Sequence, residues 1–449
     1  MLAVFKNRHV LSLTGNGVMA VFSILTYSIL YRFLPEADMG NWVFFQFAFL
    51  LLDTFRTGLL QTPLIKFYAG ADLARQTTVA GSSWFIGLLV TGFFVLLNLA
   101  CLPLAPYTTD AGVLLLLSYF GLSLVVTLPF NVAVWLLQAE QRFDAILAIR
   151  LLNQGSFILL TVLLYALGNI SLPGIVYSFL ASSLLTSVVA LVMGWARLGA
   201  LRHKTAACVR EVFHFGKYSF GTFLCATLLR SSDTFIIKFM LGPAALAVYN
   251  LPQRLLEIIE IPLRSGLATA MPDMSAAVNR KRHDEVAHTL KKYAGSLTLL
   301  FIPITVGVLI FADVIVLLIG GQKYVHTEAA NLYRIMIVCA LLFPIERFLG
   351  VTLDITNKPQ LNLIKVLIAL AINTTADILC IKFTGSIYGA AVASAFTLVA
   401  SLGYGYWVLN KYLPLHYQDT FPLALAEFRS RLDLLFQKVK LITNRNPTL

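Results

Sequence analysis

The sequence predicts an all-α polytopic membrane protein with about 12 transmembrane helices. Of its 449 residues, 58% are hydrophobic and only 12% are charged, whereas soluble domains carry about 25% charged residues. Apolar segments of 20 or more residues recur between Val10 and Leu413, and about 20 apolar residues suffice to cross a bilayer as a helix. Short motifs also recur at one constant offset, which predicts two structurally related halves.

The first apolar segment follows Lys6 and Arg8. It continues for about 24 residues with no small-residue cleavage site, so we expect it to remain as a helix instead of being removed as a signal peptide. We predict spans near residues 10–33, 41–64, 77–101, 112–137, 145–165, 173–195, 215–241, 246–272, 293–319, 331–354, 361–383 and 387–413.

Lysine and arginine are concentrated in the segments that would lie on one side of the membrane. These segments contain Lys6, Arg8, Lys66, Arg75, Arg142, Arg197, Arg202, Lys204, Arg210, Lys217, Arg280, Lys281, Arg282, Lys291 and Lys292. Cytoplasmic loops carry the excess of basic residues, so we predict that both termini are cytoplasmic. The net charge of +12 then reflects topology and attraction to anionic membrane lipids. Nucleic-acid binding is not expected, because it would need a soluble basic surface.

Two motifs show the internal repeat. Pro35 precedes the sequence Arg-Thr-Gly-Leu that begins at Arg56, and Pro243 precedes Arg-Ser-Gly-Leu beginning at Arg264; 243 − 35 and 264 − 56 both equal 208. With six spans each, the halves would have the same orientation, as in parallel-repeat transporters. We predict an N-terminal lobe at 1–200, a C-terminal lobe at 201–413 and a substrate path in the cleft between them.

The chain becomes polar after Leu413. Residues 414–449 place leucine and phenylalanine on one side of a predicted helix and basic residues on another. The basic residues are Arg429, Arg431, Lys438 and Lys440. This pattern predicts a cytoplasmic, cationic amphipathic helix that is too polar to span the membrane. An interfacial anchor on anionic lipids is the favoured interpretation, and a partner-binding helix is the alternative.

Charged residues inside the spans are the candidate functional residues. A charge at the bilayer centre costs at least about 2.5 kcal/mol, so such residues normally face the bundle interior or an aqueous cavity. The candidate substrate-binding residues are Arg56, Arg230, Arg254 and Arg264. The candidate orienting residues, which could also couple transport to a proton or Na⁺, are Asp53, Asp233, Glu257 and Glu260.

Helical periodicity gives several of these residues a common face. At about 100° per residue, Arg254, Glu257, Glu260 and Arg264 fall within an arc of roughly 120°. The forked guanidinium group suits phosphate or pyrophosphate, so arginines in a cleft predict an anionic substrate. The alternative is that opposite charges pair between helices and hold the bundle together. Other charged residues inside the spans include Arg150, Lys365 and Asp377, whereas Arg32, Lys238 and Lys382 are expected to reach the membrane interface.

Motifs for metal binding and catalysis are missing from the sequence. The five cysteines have no CxxC spacing, and the seven histidines form no HxxxH pair, so no metal or other cofactor is expected. No Walker A motif or nucleophile triad can be placed on a soluble face. We therefore expect a transporter and not an enzyme.

The segment Leu241-Gly242-Pro243-Ala244-Ala245, followed by Tyr249 and a span ending IPLRSGLATAMPDMS, carries a family resemblance. It resembles the multidrug/oligosaccharidyl-lipid/polysaccharide exporter superfamily, and within it the Wzx-type flippases of bacterial polysaccharide synthesis. The resemblance implies a V-shaped, MATE-like fold of two lobes. By position, Arg56, Arg230 and Arg264 match the cationic cavity residues of such flippases.

The implied activity is alternating-access translocation of an undecaprenyl-pyrophosphate-linked oligosaccharide. The oligosaccharide would be an O-antigen, capsule or exopolysaccharide repeat unit. It would move from the inner to the outer leaflet of the bacterial cytoplasmic membrane. A polysaccharide polymerase and assembly proteins are the implied partners.

Two alternatives remain at this point. A cation-coupled multidrug exporter of the same superfamily would favour a net acidic cleft, which the excess of arginine opposes. A membrane polysaccharide polymerase or polyprenol-dependent glycosyltransferase usually needs a large extramembrane loop, and no predicted outer loop exceeds about a dozen residues.

Overall fold

The computed structural model describes the backbone of residues 8–413 and the side chains of residues 17–413. All regular structure in this part of the chain is helical, as the sequence predicts. The predicted amphipathic helix at 414–449 lies outside the described residues. The helices are α1 Arg8–Phe33, α2 Glu36–Tyr68, α3 Leu73–Cys101, α4 Ala111–Ala139, α5 Phe143–Ala166, α6 Leu172–Val192, α7 Ala206–Leu241, α8 Pro243–Asn279, α9 His283–Gly320, α10 Gln322–Val325, α11 Ala329–Ala340, α12 Phe343–Ile355, α13 Pro359–Thr384 and α14 Tyr388–Leu409.

Eight described helices are long and apolar enough to cross a membrane, namely α2, α3, α4, α5, α6, α9, α13 and α14. A ninth candidate is the pair α11 and α12, which bends by 46° where the two helices meet. The described part of α1 contributes a shorter apolar helix, Gly17–Phe33. Helices α7 and α8 have 36 and 37 residues but carry several charges and do not meet the same criterion. Helices occupy all the predicted spans, the tenth as the bent pair α11 and α12, while the count of twelve spans stays a prediction.

Local sequence signals explain where several helices begin. Asp72, Asp110, Ser171 and Thr205 each precede a helix and accept a hydrogen bond from the backbone N–H three residues later. These side chains satisfy donors that have no partner inside the helix. Between α7 and α8, Gly242 has φ +93°, a conformation that residues with a Cβ rarely adopt, and it ends α7.

The described chain divides into two compact units. Unit 1 contains the described residues up to Leu251 together with Val316–Ala329 and Ile381–Ala390. Unit 2 contains Pro252–Ile315, Ala330–Cys380 and the described residues from Ala391 onward. The division into lobes at 1–200 and 201–413 stays a prediction.

In unit 1, α2 packs against α3, α4 and α7. Glycines bring α2 and α7 very close together. A Cβ at Gly216 of α7 would overlap the backbone carbonyl of Leu59, and a Cβ at Gly58 of α2 would lie 2.9 Å from the Cα of Phe220. Small residues allow this close backbone approach between membrane helices, where dispersion and not burial from water drives association.

The core of unit 1 includes a large aromatic and aliphatic cluster formed by α2, α3 and α4. Trp84, which is almost fully buried, donates its indole N–H to the carbonyl oxygen of Ala196 at 2.6 Å. Tyr68, at the end of α2, donates to Glu140 at 2.8 Å. These bonds satisfy the polar ends of side chains whose rings fill the core.

In unit 2, the bend between α11 and α12 places polar groups inside the span. Pro344 lies at the start of α12, where a missing N–H is tolerated. Two residues later, Glu346 accepts hydrogen bonds from Lys365 of α13 at 2.6 Å and from Ser401 of α14 at 2.9 Å. The buried Lys365 is therefore neutralised within unit 2, and three helices are joined by one carboxylate.

Candidate functional site

Helix α8 presents most of the predicted functional charges in unit 2. Arg254 pairs with Glu257 through Nη1 and Oε1 at 3.0 Å, and Arg264 pairs with Glu260. Both pairs join residues three or four positions apart, so α8 alone positions them. The one-face arrangement predicted from the sequence thus produces two arginine–glutamate pairs on a single helix.

The second pair continues onto α12. Arg347 lies 3.6 Å from Glu260, measured from Nη2 to Oε1, so one carboxylate lies between two guanidinium groups. The side chain of Arg264 is 71% exposed and that of Arg347 is 56% exposed. We name Arg254, Glu257, Glu260, Arg264 and Arg347 the α8 cluster.

The α8 cluster contains three arginines and two glutamates, so its formal charge is positive. Glu346 also lies 3.8 Å from Arg347, but its charge is balanced by Lys365 at 2.6 Å. Each guanidinium group has five N–H donors in a planar fork, more than one carboxylate can accept. The exposed guanidinium groups of Arg264 and Arg347 can therefore donate to a ligand while Glu260 holds their orientation. This geometry suits an oxyanion such as phosphate or pyrophosphate.

Arg347 belongs to the cluster, although this charged residue of the predicted tenth span was not among the predicted substrate-binding residues. Its helix begins after a 46° bend, so periodicity along the predicted tenth span could not assign its face. The acidic residue before it, Glu346, was equally visible in the sequence. Only the contact with Glu260 identifies Arg347 as part of the site.

Arg56, the repeat equivalent of Arg264, has a different environment. It is 1% exposed and lies inside unit 1. Its Nη1 donates to the carbonyl oxygen of Leu124 at 2.7 Å, while its Nη2 donates to Thr127 Oγ1 at 2.9 Å and pairs with Asp53. Protein groups thus occupy both terminal nitrogens. That Arg56 binds substrate stays a prediction, and its geometry in this structure favours a structural role.

The two predicted functional residues of α7, Arg230 and Asp233, differ in their exposure. Arg230 is exposed, whereas Asp233 is buried and accepts a hydrogen bond from Tyr249 at 2.8 Å. Tyr249 belongs to the segment that carries the family resemblance. Its hydroxyl group therefore fixes a carboxylate inside unit 1.

Lys238, at the end of α7, is not exposed as predicted. It is buried, and its ammonium group lies 3.0 Å from Asp110 and donates to Asn41 at 2.5 Å. The expectation of an exposed, interfacial lysine was wrong because α2 and α4 supply polar partners at this level. The contacts of Lys238 with Asn41 and Asp110 therefore link α7 to α2 and to the start of α4.

We expect Asp110→Asn to lower the stability of unit 1 near neutral pH by about 1–3 kcal/mol, because Lys238 would lose its counter-charge. Burial alone would raise the pKa of Asp110, but hydrogen bonds from the Val113 N–H and from Lys238 outweigh it and hold this pKa below its usual value. The stabilisation is therefore full above the unfolded-state pKa of about 3.9 and is lost as the pH falls through the lower folded-state pKa.

Thermal unfolding of the purified protein at a series of pH values tests this expectation. The stability difference between wild type and Asp110→Asn should shrink as the pH falls below about 4. Asp144→Asn, which changes an exposed aspartate in the first turn of α5, serves as the control and should leave the unfolding temperature unchanged. An equal effect of both substitutions would contradict the proposed importance of the Lys238–Asp110 pair.

The described residues contain no group of three or more His, Cys, Asp and Glu side chains arranged to hold a metal ion.

Residues 29–329 match a family model described as "Polysaccharide biosynthesis protein". The match covers more than half of the chain. The chain belongs to this polysaccharide biosynthesis family.

A relative at the sequence level is the "Probable low-salt glycan biosynthesis flippase Agl15" of Haloferax volcanii. The two are 23% identical over 309 residues, which is 68% of this chain and 61% of the relative. The match therefore spans less than two thirds of the length of that relative.

Two solved structures are similar to this chain in fold. An inward-facing multidrug resistance MATE family transporter of the MOP superfamily gives a TM-score of 0.72 at 16% identity, over 87% of this chain and 95% of its own. The lipid II flippase MurJ in an inward closed conformation gives 0.70 at 15% identity, over 98% of this chain and 94% of its own. The resemblance and the MATE-like helical fold predicted from the sequence are confirmed.

The predicted substrate-binding arginines all lie within the part of the chain that the family model matches. Arg56, Arg230, Arg254 and Arg264 all lie inside the matched residues 29–329. Arg347 lies beyond them. The α8 cluster therefore combines residues inside the matched range with one residue outside it.

Proposed function

We propose that this chain is a membrane flippase that translocates a lipid-linked glycan. The observation that carries the proposal is the α8 cluster, a net cationic group of side chains from α8 and α12 of a polysaccharide biosynthesis family protein. The helical fold shared with MurJ and MATE transporters supports transport and not catalysis.

The proposed substrate is an undecaprenyl-pyrophosphate-linked oligosaccharide, the repeat unit of a surface polysaccharide. Arg264 and Arg347 bind pyrophosphate oxygens, and Glu260 orients both guanidinium groups. Arg254 with Glu257, and Arg230 with Asp233, are further candidates for substrate contact or for coupling to a proton or Na⁺. A polysaccharide polymerase and assembly proteins would receive the product.

The charge of the cluster favours this substrate over an organic cation. Removing a cation from water to lie beside two partly exposed arginines is unfavourable, whereas a pyrophosphate replaces its hydration with charge-assisted hydrogen bonds. A multidrug exporter for cations would need the opposite balance of charge. The positive charge of the α8 cluster therefore favours a glycan-lipid flippase over a multidrug exporter, although both share this fold.

The test is translocation by the purified protein in liposomes. A fluorescent polyprenyl-diphosphate oligosaccharide would be placed in both leaflets, and its accessibility to a membrane-impermeant quencher would be followed with time. We expect the protein to increase exchange between leaflets above that of empty liposomes. A cationic dye loaded into the same liposomes should not be transported. Dye efflux without movement of the glycan lipid would favour the multidrug exporter.

The proposed orientation places both termini in the cytoplasm of a bacterium, with the protein in its inner membrane. We expect a cysteine at Thr109→Cys, between α3 and α4, to react with an impermeant thiol reagent in intact cells. A cysteine at Lys281→Cys, between α8 and α9, should react only after the cells are opened. The labelling is measured in a variant without the five native cysteines. The reverse pattern would invert the proposed topology.

A further inference from the structure

Asp313 of α9 and Arg334 of α11 form an ion pair in unit 2 that the proposed pyrophosphate site does not use. The side chain of Asp313 is 56% exposed and that of Arg334 is 29% exposed. Arg334 also donates from Nη1 to Asn331 at 2.8 Å and from Nε to the carbonyl oxygen of Leu309 at 3.2 Å. Among the described residues, Arg334 is the one donor that reaches the Asp313 carboxylate. The carboxylate is therefore accessible from outside the described chain.

The exposed side of α9 around Asp313 is apolar. At about 100° per residue, the residues that share a face of the helix with Asp313 lie within about 60° of it. These residues are hydrophobic and exposed, and they are Ile302, Val306, Ile310 and Leu317. Such a face is typical of contact with lipid chains, whereas an aqueous cleft would be lined by polar groups. Asp313 is thus a charged residue within a lipid-facing surface.

The depth of Asp313 favours a protein partner over a lipid headgroup. Gly320 ends α9 seven residues later, which at about 1.5 Å per residue places Asp313 roughly 10 Å below the helix end. Residues 314–319 are all valine, isoleucine or leucine. Headgroups lie at the membrane surface, above this apolar segment. A second protein can bring a polar group to the required depth, and charged side chains within membranes normally pair inside protein.

The equivalent contact in unit 1 is made without charge. Asn98 of α3 is the repeat equivalent of Asp313, because 313 − 98 and 344 − 129, the separation of Pro129 from Pro344, both equal 215. Asn98 donates to the carbonyl oxygen of Leu117 of α4 at 2.7 Å. A neutral amide thus joins the two helices in unit 1. Joining helices therefore does not by itself explain a charged pair at the equivalent place in unit 2.

We infer that this face of α9 and α11 binds a second copy of the chain, with Asp313 of each copy against the partner's Arg334. The surface is self-complementary, because a twofold axis brings the acidic group of one copy to the basic group of the other. A guanidinium group has five N–H donors, so Arg334 can bind two carboxylates. The dimer would replace contact between these charges and lipid with four alternating charges surrounded by apolar side chains. The inference does not depend on the transported substrate.

Reversal of each charge tests the inference. Copies fused to donor and acceptor fluorescent proteins would be reconstituted together in liposomes, and energy transfer between them would be measured. Wild type should give energy transfer that excess unlabelled wild type removes. Asp313→Arg and Arg334→Asp should each lose it, because like charges would meet across the twofold axis. An equal mixture of the two variants should restore energy transfer, since each copy then meets opposite charges.

Glu285→Arg is the matched control, because Glu285 also lies on α9, is exposed and pairs with Arg282 outside the proposed surface. It should leave energy transfer unchanged. Asp313→Asn replaces a charge-reversed variant that does not fold, since it keeps an oxygen for Arg334. We expect it to raise the protein-to-lipid ratio needed for half-maximal energy transfer about tenfold, as for the loss of one charge-assisted contact.

Three results would overturn the inference. One is the absence of energy transfer in wild type, or full transfer in either charge-reversed variant. Another is a mixture of folded charge-reversed variants that does not regain transfer, because this pair would then not form the contact between copies. The third is a monomeric wild type whose unfolding temperature depends on the headgroup of the added phospholipid, which would assign the ion pair to lipid binding.

Discussion

Arg264→Glu is expected to abolish glycan translocation while the protein accumulates in the membrane at its normal level. Arg264 is 71% exposed and pairs only with Glu260 among the ion pairs described for it, so its replacement leaves no buried charge without a partner. The substitution changes the α8 cluster from three arginines and two glutamates to two arginines and three glutamates. An anionic headgroup would then meet net repulsion instead of attraction.

Complementation of a flippase-deficient strain, scored by surface glycan, measures the effect alongside membrane abundance. Arg264→Lys should retain part of the activity, because it keeps the charge but loses the bidentate fork. Arg282→Glu is the matched control, since Arg282 is also exposed and pairs with a glutamate three residues away, Glu285, outside the cluster. Full complementation by Arg264→Glu at normal abundance would remove Arg264 from the site.

Arg56→Ala is expected to have the opposite outcome, a loss of folded protein. Removal of the guanidinium group would leave Asp53 buried without a cation, a loss of about 3–5 kcal/mol for a buried pair. The substitution also removes the hydrogen bonds that join α2 to Leu124 and Thr127 of α4. Most natural domains are stable by only about 5–15 kcal/mol, so abundance should fall sharply.

The double variant Arg56→Met with Asp53→Leu separates structure from substrate binding. Replacing a buried ion pair by apolar side chains of similar volume is often neutral for stability, so abundance should recover. If Arg56 is structural, translocation should recover with it. A double variant that is abundant but inactive, together with an abundant Arg56→Ala, would instead support the predicted contact between Arg56 and the substrate.

The comparison of Arg56 with Arg264 shows what sequence reasoning could and could not supply. Helical periodicity correctly placed a carboxylate beside each arginine on its own helix, because residues three or four positions apart share a face. It could not give their exposure, because that depends on α3 and α4, which surround Arg56 in unit 1. Arginines at equivalent positions in the repeat thus have similar contacts along their own helix, but the helices that pack against them differ.

The same limit explains Arg347 and Lys238. Helix positions follow from long apolar segments, because every backbone polar group in a bilayer must be satisfied within the segment. The partners of a charged side chain depend on which helices become neighbours, and no apolar pattern encodes this. Lys238 lies near the end of a predicted span and was therefore expected to be exposed. Its contacts with Asp110 and Asn41 show that it is buried inside unit 1.

The close contact between α2 and α7 has a consequence for biosynthesis. α7 does not meet the length and composition criterion that eight of the described helices meet, so its own apolarity gives it a weak tendency to leave the translocon for lipid. Its glycine contact with Leu59 and its buried lysine both need helices that are synthesised earlier, α2 and α4. Because the chain is synthesised from its N-terminus, α2 and α4 are made before α7, and we expect their contacts with α7 to favour its insertion into the membrane.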